Sequence, residues 1–170
     1  DIDLYVEDPS KTVVHFRNAR ANFMHLDKDD LGKRNDTIMV NGVEKVVKIN
    51  REVVTIRGVV PGEYLVNVHY YSDYSEHGNL ARGPMPPLEV KVTVHKVNPY
   101  SEVWQGTKPF TKKGQEETFI RFTMDKEGNV KPPFRFLKKR LVSPQTYHGS
   151  LDPHSGQINS SSSSIDLNLY

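Results

Sequence analysis

Six aspartates and one asparagine crowd two short stretches, Asp1-Ile2-Asp3-Leu4 and Asp27-Lys28-Asp29-Asp30-Leu31-Gly32-Lys33-Arg34-Asn35-Asp36. Side-chain oxygens at this density suit a hard divalent cation. Calcium takes roughly six to eight of them at about 2.3 to 2.6 Å. On a strand, Asp1 and Asp3 project from one face and can address one ion together. Asp27, Asp29, Asp30, Asn35 and Asp36, with backbone carbonyls, would complete its shell. Lys28, Lys33 and Arg34 are too few to pair all of this charge, and partly buried charge must be paired or neutralised. The expected metal is therefore calcium. The competing expectation is that these residues cap backbone amides in Asx turns.

Asp27, Asp29 and Gly32 match positions one, three and six of an EF-hand loop, but Leu31 and Ile38 stand where oxygen ligands belong. A calcium site on a β-sandwich needs no helix, so the mismatch excludes only the EF-hand. His15, His69 and His95 could approach one another on outward strand faces. Their spacing carries no tetrahedral zinc signature. Lys131, Arg135, Lys138, Lys139 and Arg140 interleave with Phe134 and Phe136. Such a segment suits single-stranded nucleic acid or an anionic membrane, or a solvated edge strand guarded by lysines, and the edge strand is favoured. No nucleophile elbow, His-Glu-x-x-His or phosphate-binding glycine loop is present. The expectation is a protein that is not an enzyme.

Apolar residues recur with period two, which positions these groups on strands. Ile2, Leu4 and Val6 alternate with Asp1, Asp3 and Tyr5. Asn41-Gly42 joins Thr37 to Val40 with Val43 to Ile49, the signal of a type I′ hairpin. Glu52 to Ile56 reads as a strand, and Pro61-Gly62 turns the chain into another that places Tyr64, Val66, Val68 and Tyr70 on one face. Leu88, Val90, Val92 and Val94 give the clearest alternation, and Ile120, Phe122 and Met124 give another. Residues 17 to 36 lack strand periodicity, and 72 to 87 read as a long polar loop. No helical period is sustained over several turns.

The 170 residues can bury a core without disulfides, and there is no cysteine. A formal charge of +2 does not point to nucleic acid. No apolar run is long enough to span a bilayer. Asp1 opens inside a strand pattern without an initiating Met, which suggests an upstream segment able to carry a signal or an anchor. The expected fold is all-β, an antiparallel β-sandwich of jelly-roll or Ig-like type. Residues 1–98 form its core with the acidic loop, and 99–142 add strands that complete or extend it. A Ser-rich extended tail follows over 143–170. Within that tail Ile165, Leu167, Leu169 and Tyr170 alternate like a strand. They are expected to add to a partner's sheet edge, although packing on the chain's own domain explains the pattern too.

Asp1-Ile2-Asp3-Leu4-Tyr5-Val6 and Pro61-Gly62-Glu63-Tyr64-Leu65-Val66-Asn67-Val68-His69-Tyr70-Tyr71 resemble paired strands of bacterial pre-peptidase C-terminal-like β-sandwich modules. Leu26-Asp27-Lys28-Asp29-Asp30 is similar to the acidic loop of related secreted domains, some of which bind calcium. The chain also resembles, over roughly residues 1 to 142, membrane-anchored proteins of α-proteobacteria and their phages. Met24-His25-Leu26-Asp27, the strand from Arg57-Gly58 to Tyr71 and Lys96-Val97-Asn98-Pro99 carry that likeness. It implies a periplasmic, cell-surface or virion-borne module that is structural or mediates protein interactions, as a self-assembling oligomer or with other subunits. Membrane contact would come only through an N-terminal anchor. The rival expectation is an accessory module that binds carbohydrate or protein through Tyr70, Tyr71, Tyr74 and the 72–87 loop.

Overall fold

The computed structural model describes residues 1–30, 37–47, 50–71, 87–142 and 163–169, the last without the side chains of 163–165. The opening strand β1 (Ile2–Glu7) runs antiparallel to a strand 60 residues downstream, pairing Ile2 with Tyr70 and Val6 with Val66. The two stretches that resemble paired sandwich strands are thus neighbours in one sheet. With β2 (Val13–Val14), β8 (Gly62–Tyr70) and β11 (Glu116–Met124), this sheet has the order β11-β8-β1-β2.

The facing sheet is built from β3 (Arg20–Ala21), β4 (Met24–Lys28), β7 (Arg51–Ile56), β9 (Leu88–Val97), β10 (Tyr100–Phe110) and β12 (Ser163–Leu169). Its order is β10-β9-β12-β7-β4-β3. Alternation explains the core, because i and i+2 share a face. Leu4, Val66, Val68, Ile120 and Phe122 of the smaller sheet share one apolar cluster with Leu26, Val54, Val92 and Val94 of the larger. The architecture is an all-β sandwich. Residues 99–142 complete both sheets, since β10 pairs with β9 and β11 with β8.

β5 (Thr37–Val40) and β6 (Val43–Val46) form a separate hairpin. Asn41 and Gly42 both take positive φ, 52° and 76°, as a type I′ turn requires. Ile38, Met39, Val43 and Val46 are exposed on this ribbon.

Three expectations are corrected. The stretch from 17 contains β3 and β4, whose Met24 and Leu26 point inward while His25 and Asp27 point outward. Five residues were too few to stand out as periodic.

The second correction concerns the tail. Leu167 and Leu169 lie in the chain's own core, and β12 sits between β7 and β9, parallel to both. Ile165 occupies a position in that same central strand, while Tyr170 lies outside the described residues. A strand paired on both sides has no open edge to offer a partner. The larger sheet is consequently mixed rather than purely antiparallel.

The third correction is the basic segment, which forms no strand of its own, although Lys131, Arg135, Lys138 and Arg140 are exposed. It straps the outer face of the smaller sheet. Lys139 donates to Glu7 at 2.7 Å, its backbone carbonyl accepts from Asn67 Nδ2 at 2.6 Å, and the amides of Leu141 and Val142 donate to Glu116. Lys138 pairs with Glu117 at 3.2 Å. The strap covers Glu7, while His15 and His69 pack on Tyr5 and His69 lies beside Asp3, so the outward residues of β1 are buried with the apolar ones.

Because Leu167 is wholly buried, Leu167→Ala should lower stability by about 2–5 kcal/mol through lost transfer energy and a residual cavity. Denaturant unfolding of the full chain measures it. An unchanged midpoint would mean that this strand docks elsewhere.

Candidate metal centre

The smaller sheet leaves a gap at the start of β1. β2 pairs only with Val6 and Glu7, so among the described residues no strand lies beside the first residues of β1 on the edge away from β8. Glu52 fills the gap from the other sheet. Its Oε2 accepts the Leu4 amide at 2.7 Å and its Oε1 accepts the Asp30 amide at 3.3 Å. One carboxylate therefore ties β1 to the segment after β4. Glu52 is 2 % exposed.

Asp3 and Asp29 bring their carboxylates to the same place. One oxygen from each of Asp3, Asp29 and Glu52 lies within 4.8 Å of the other two. Asp29 arrives there because of a bulge. The alternation of β4 would send Asp29 outward with Asp27, but the register shifts between Leu26 and Lys28. One extra residue moves the next side chains to the other side of the sheet.

Electrostatics at this point are unfavourable for three charges. Burial, and then the Asp3 carboxylate, pushes the Glu52 carboxyl well above its ordinary range. Burial raises Asp3 also, against the lowering effect of His69. Asp3 Oδ2 is sealed from solvent and meets no hydrogen-bond donor among the described residues, and His69 Nδ1 lies 3.8 Å away. A proton shared among the carboxyls relieves the repulsion, and so does a hard cation. The all-oxygen donor set and the unmet Asp3 oxygen fit calcium, whose irregular coordination accepts mono- or bidentate carboxylates and backbone carbonyls.

Of the residues expected to hold the ion, two meet at this point. Asp3 and Asp29 belong to the group, whereas Asp1, Asp27 and Asp30 do not. Asp1 is held by its backbone carbonyl, which accepts the Tyr71 amide at 3.1 Å. Asp30 contributes its amide to Glu52. Asp27 points out of the larger sheet, accepting from His25 Nδ1 at 2.8 Å, from Arg57 at 3.2 Å and from the Thr55 hydroxyl. Asn35 and Asp36 lie outside the described residues. Sequence reasoning missed Glu52, although it shares the inward face of its strand with Val54 and Ile56. An acid in phase with core residues was the available signal.

The other proposed groupings dissolve. His69 lies in the smaller sheet and His95 in the larger, so they do not face each other. His69 is buried beside Tyr5 and Tyr71, and His15 stacks on Tyr5 at 4.9 Å. Tyr70 belongs to the core, which removes it from any ligand surface. Tyr71 packs edgewise on Phe16, and Tyr74 lies outside the described residues.

The raised carboxyls set a pH dependence with a definite sign. A folded pKa above the unfolded value means that the folded state holds the proton more tightly. The stability from this site is therefore full below the ordinary glutamate value, about 4.3, and is lost as pH rises through the raised folded value. Without divalent cations, Glu52→Gln should flatten the fall in melting temperature between about pH 5 and pH 8. A parent and variant that fall in parallel would contradict the assignment. Compared with protein families, curated proteins and solved structures, the chain matches none.

Proposed function

We propose that this chain is a non-catalytic structural or interaction module, working outside the cytoplasm or on a virion, whose sandwich is locked by calcium at Asp3, Asp29 and Glu52. The observation that carries this reading is the meeting of three carboxylates within 4.8 Å at the junction of the two sheets. An ion there would bridge β1, the segment after β4 and β7, so binding energy would become folding energy.

Four further points support it. Glu52 is committed to backbone amides and closed to water, a placement that suits holding strands rather than meeting a substrate. Magnesium demands near-ideal octahedral geometry and keeps its waters, which a crowded buried carboxylate group does not suit. Extracellular calcium modules work at roughly 10⁻⁴–10⁻³ M, concentrations met outside the cytosol. An interaction role draws support from the β5–β6 hairpin, whose exposed apolar side chains are of the kind that protein partners cover.

A thermal melt in EDTA and in millimolar calcium tests the lock. At a concentration 100-fold above Kd, calcium would add about 2.7 kcal/mol, a rise of several degrees. Asp29→Asn should abolish the rise, while Asp27→Asn should keep it, since Asp27 lies on the opposite face. A parent that melts identically in both solutions would overturn the proposal.

A further inference from the structure

The strap enters the smaller sheet through an unusual pair. Arg121 of β11 and Arg135 exchange both backbone hydrogen bonds, at 2.7 and 2.9 Å, as an isolated antiparallel bridge. Two arginines thus stand directly opposite each other, and like charges in that position destabilise a sheet. One carboxylate serves both. Glu63 lies 3.4 Å from Arg121 and 3.5 Å from Arg135, long distances for charge-assisted bonds.

The remaining groups do not make up the difference. Arg121 Nε is shut off from solvent and meets no acceptor among the described residues. Asp125 faces the same space, but its Oδ1 accepts from the amides of Glu127 and Asn129 at 3.0 and 2.7 Å and its Oδ2 from the Asn129 side-chain amide at 3.2 Å. Those bonds hold its carboxyl below the ordinary range, with a smaller contribution from Lys131. Lys131 is a third cation at the rim. These side chains line a pocket of about 250 Å³, room for a small oxyanion and its waters.

We propose that this pocket is an oxyanion site, taking a phosphate or carboxylate group between the Arg121 and Arg135 guanidinium groups with Lys131 at its mouth. Guanidinium edges present parallel N–H donors that match two oxygens of one anion. Arg121, Arg135 and Lys131 face two carboxylates, Glu63 and Asp125, and an anion there would supply the remaining counter-charge. The site lies apart from the carboxylate group and does not rest on the calcium reading.

The test titrates the full chain with inorganic phosphate, and separately with acetate, at constant ionic strength, following backbone amide and arginine Nε–H resonances. Saturable shifts at residues 121, 123, 131 and 135 are expected with at least one of the two anions, and the tighter one identifies the class. Arg135→Gln and Lys131→Gln change exposed side chains and should each weaken binding about tenfold, in line with the loss of one charged hydrogen bond. Linear shifts with both anions, or unchanged affinity in both variants, would overturn the site.

Discussion

A carboxylate buried where two sheets meet governs this molecule. Glu52 supplies acceptors to the amides of Leu4 and Asp30 and so ties β1 to the segment after β4. An unmet buried amide is expensive, and so is a buried charge. The structure resolves the first problem by creating the second. Adding Asp3 and Asp29 compounds the charge until the group must hold a proton or a cation. The metal reading follows from this tension rather than from a count of acidic residues, since Asp27, equally acidic, is satisfied by His25, Arg57 and Thr55 on the other face.

A second constraint acts on the outer face of the smaller sheet. Asp3, Asn67, His69 and Glu116 are all buried there, although they alternate with core residues and would ordinarily face water. The strap through 142 crosses this face and meets part of their demand, with Glu116 accepting from Asn67 and from two strap amides. From this strap the chain passes, over 20 residues, to the larger sheet and inserts β12 parallel to both neighbours. A parallel pairing needs a long connection, and β7 and β9 both lie far upstream of β12 in the chain.

Much of this was legible in the sequence and some was not, for identifiable reasons. Period-two alternation located β1, β8, β9 and β11, and Asn41-Gly42 announced its hairpin, because these signals are local. The alternation of Ile165, Leu167 and Leu169 showed a strand but not its direction or neighbours, which depend on contacts over 70 residues away. Asp29 was legible as an acid and illegible as a neighbour of Glu52, because a single bulged residue decides its face. The basic segment was misjudged for a related reason. Its partners Glu7, Glu63, Glu116 and Glu117 are scattered along the chain, and only the folded sheet gathers them. Tyr70 and Tyr71 show how one residue of phase separates a core side chain from a surface one.

The most direct measurement is a calorimetric titration of the cation-stripped full chain with calcium, near pH 7, in two buffers of different ionisation enthalpy. The account predicts one saturable site per chain, with heats that differ between buffers because the ion displaces a proton held by the Glu52 group. A chain that shows no saturable heat up to about 10 mM calcium, beyond the weakest extracellular modules, would contradict it and leave a shared proton as what relieves the charge at Glu52.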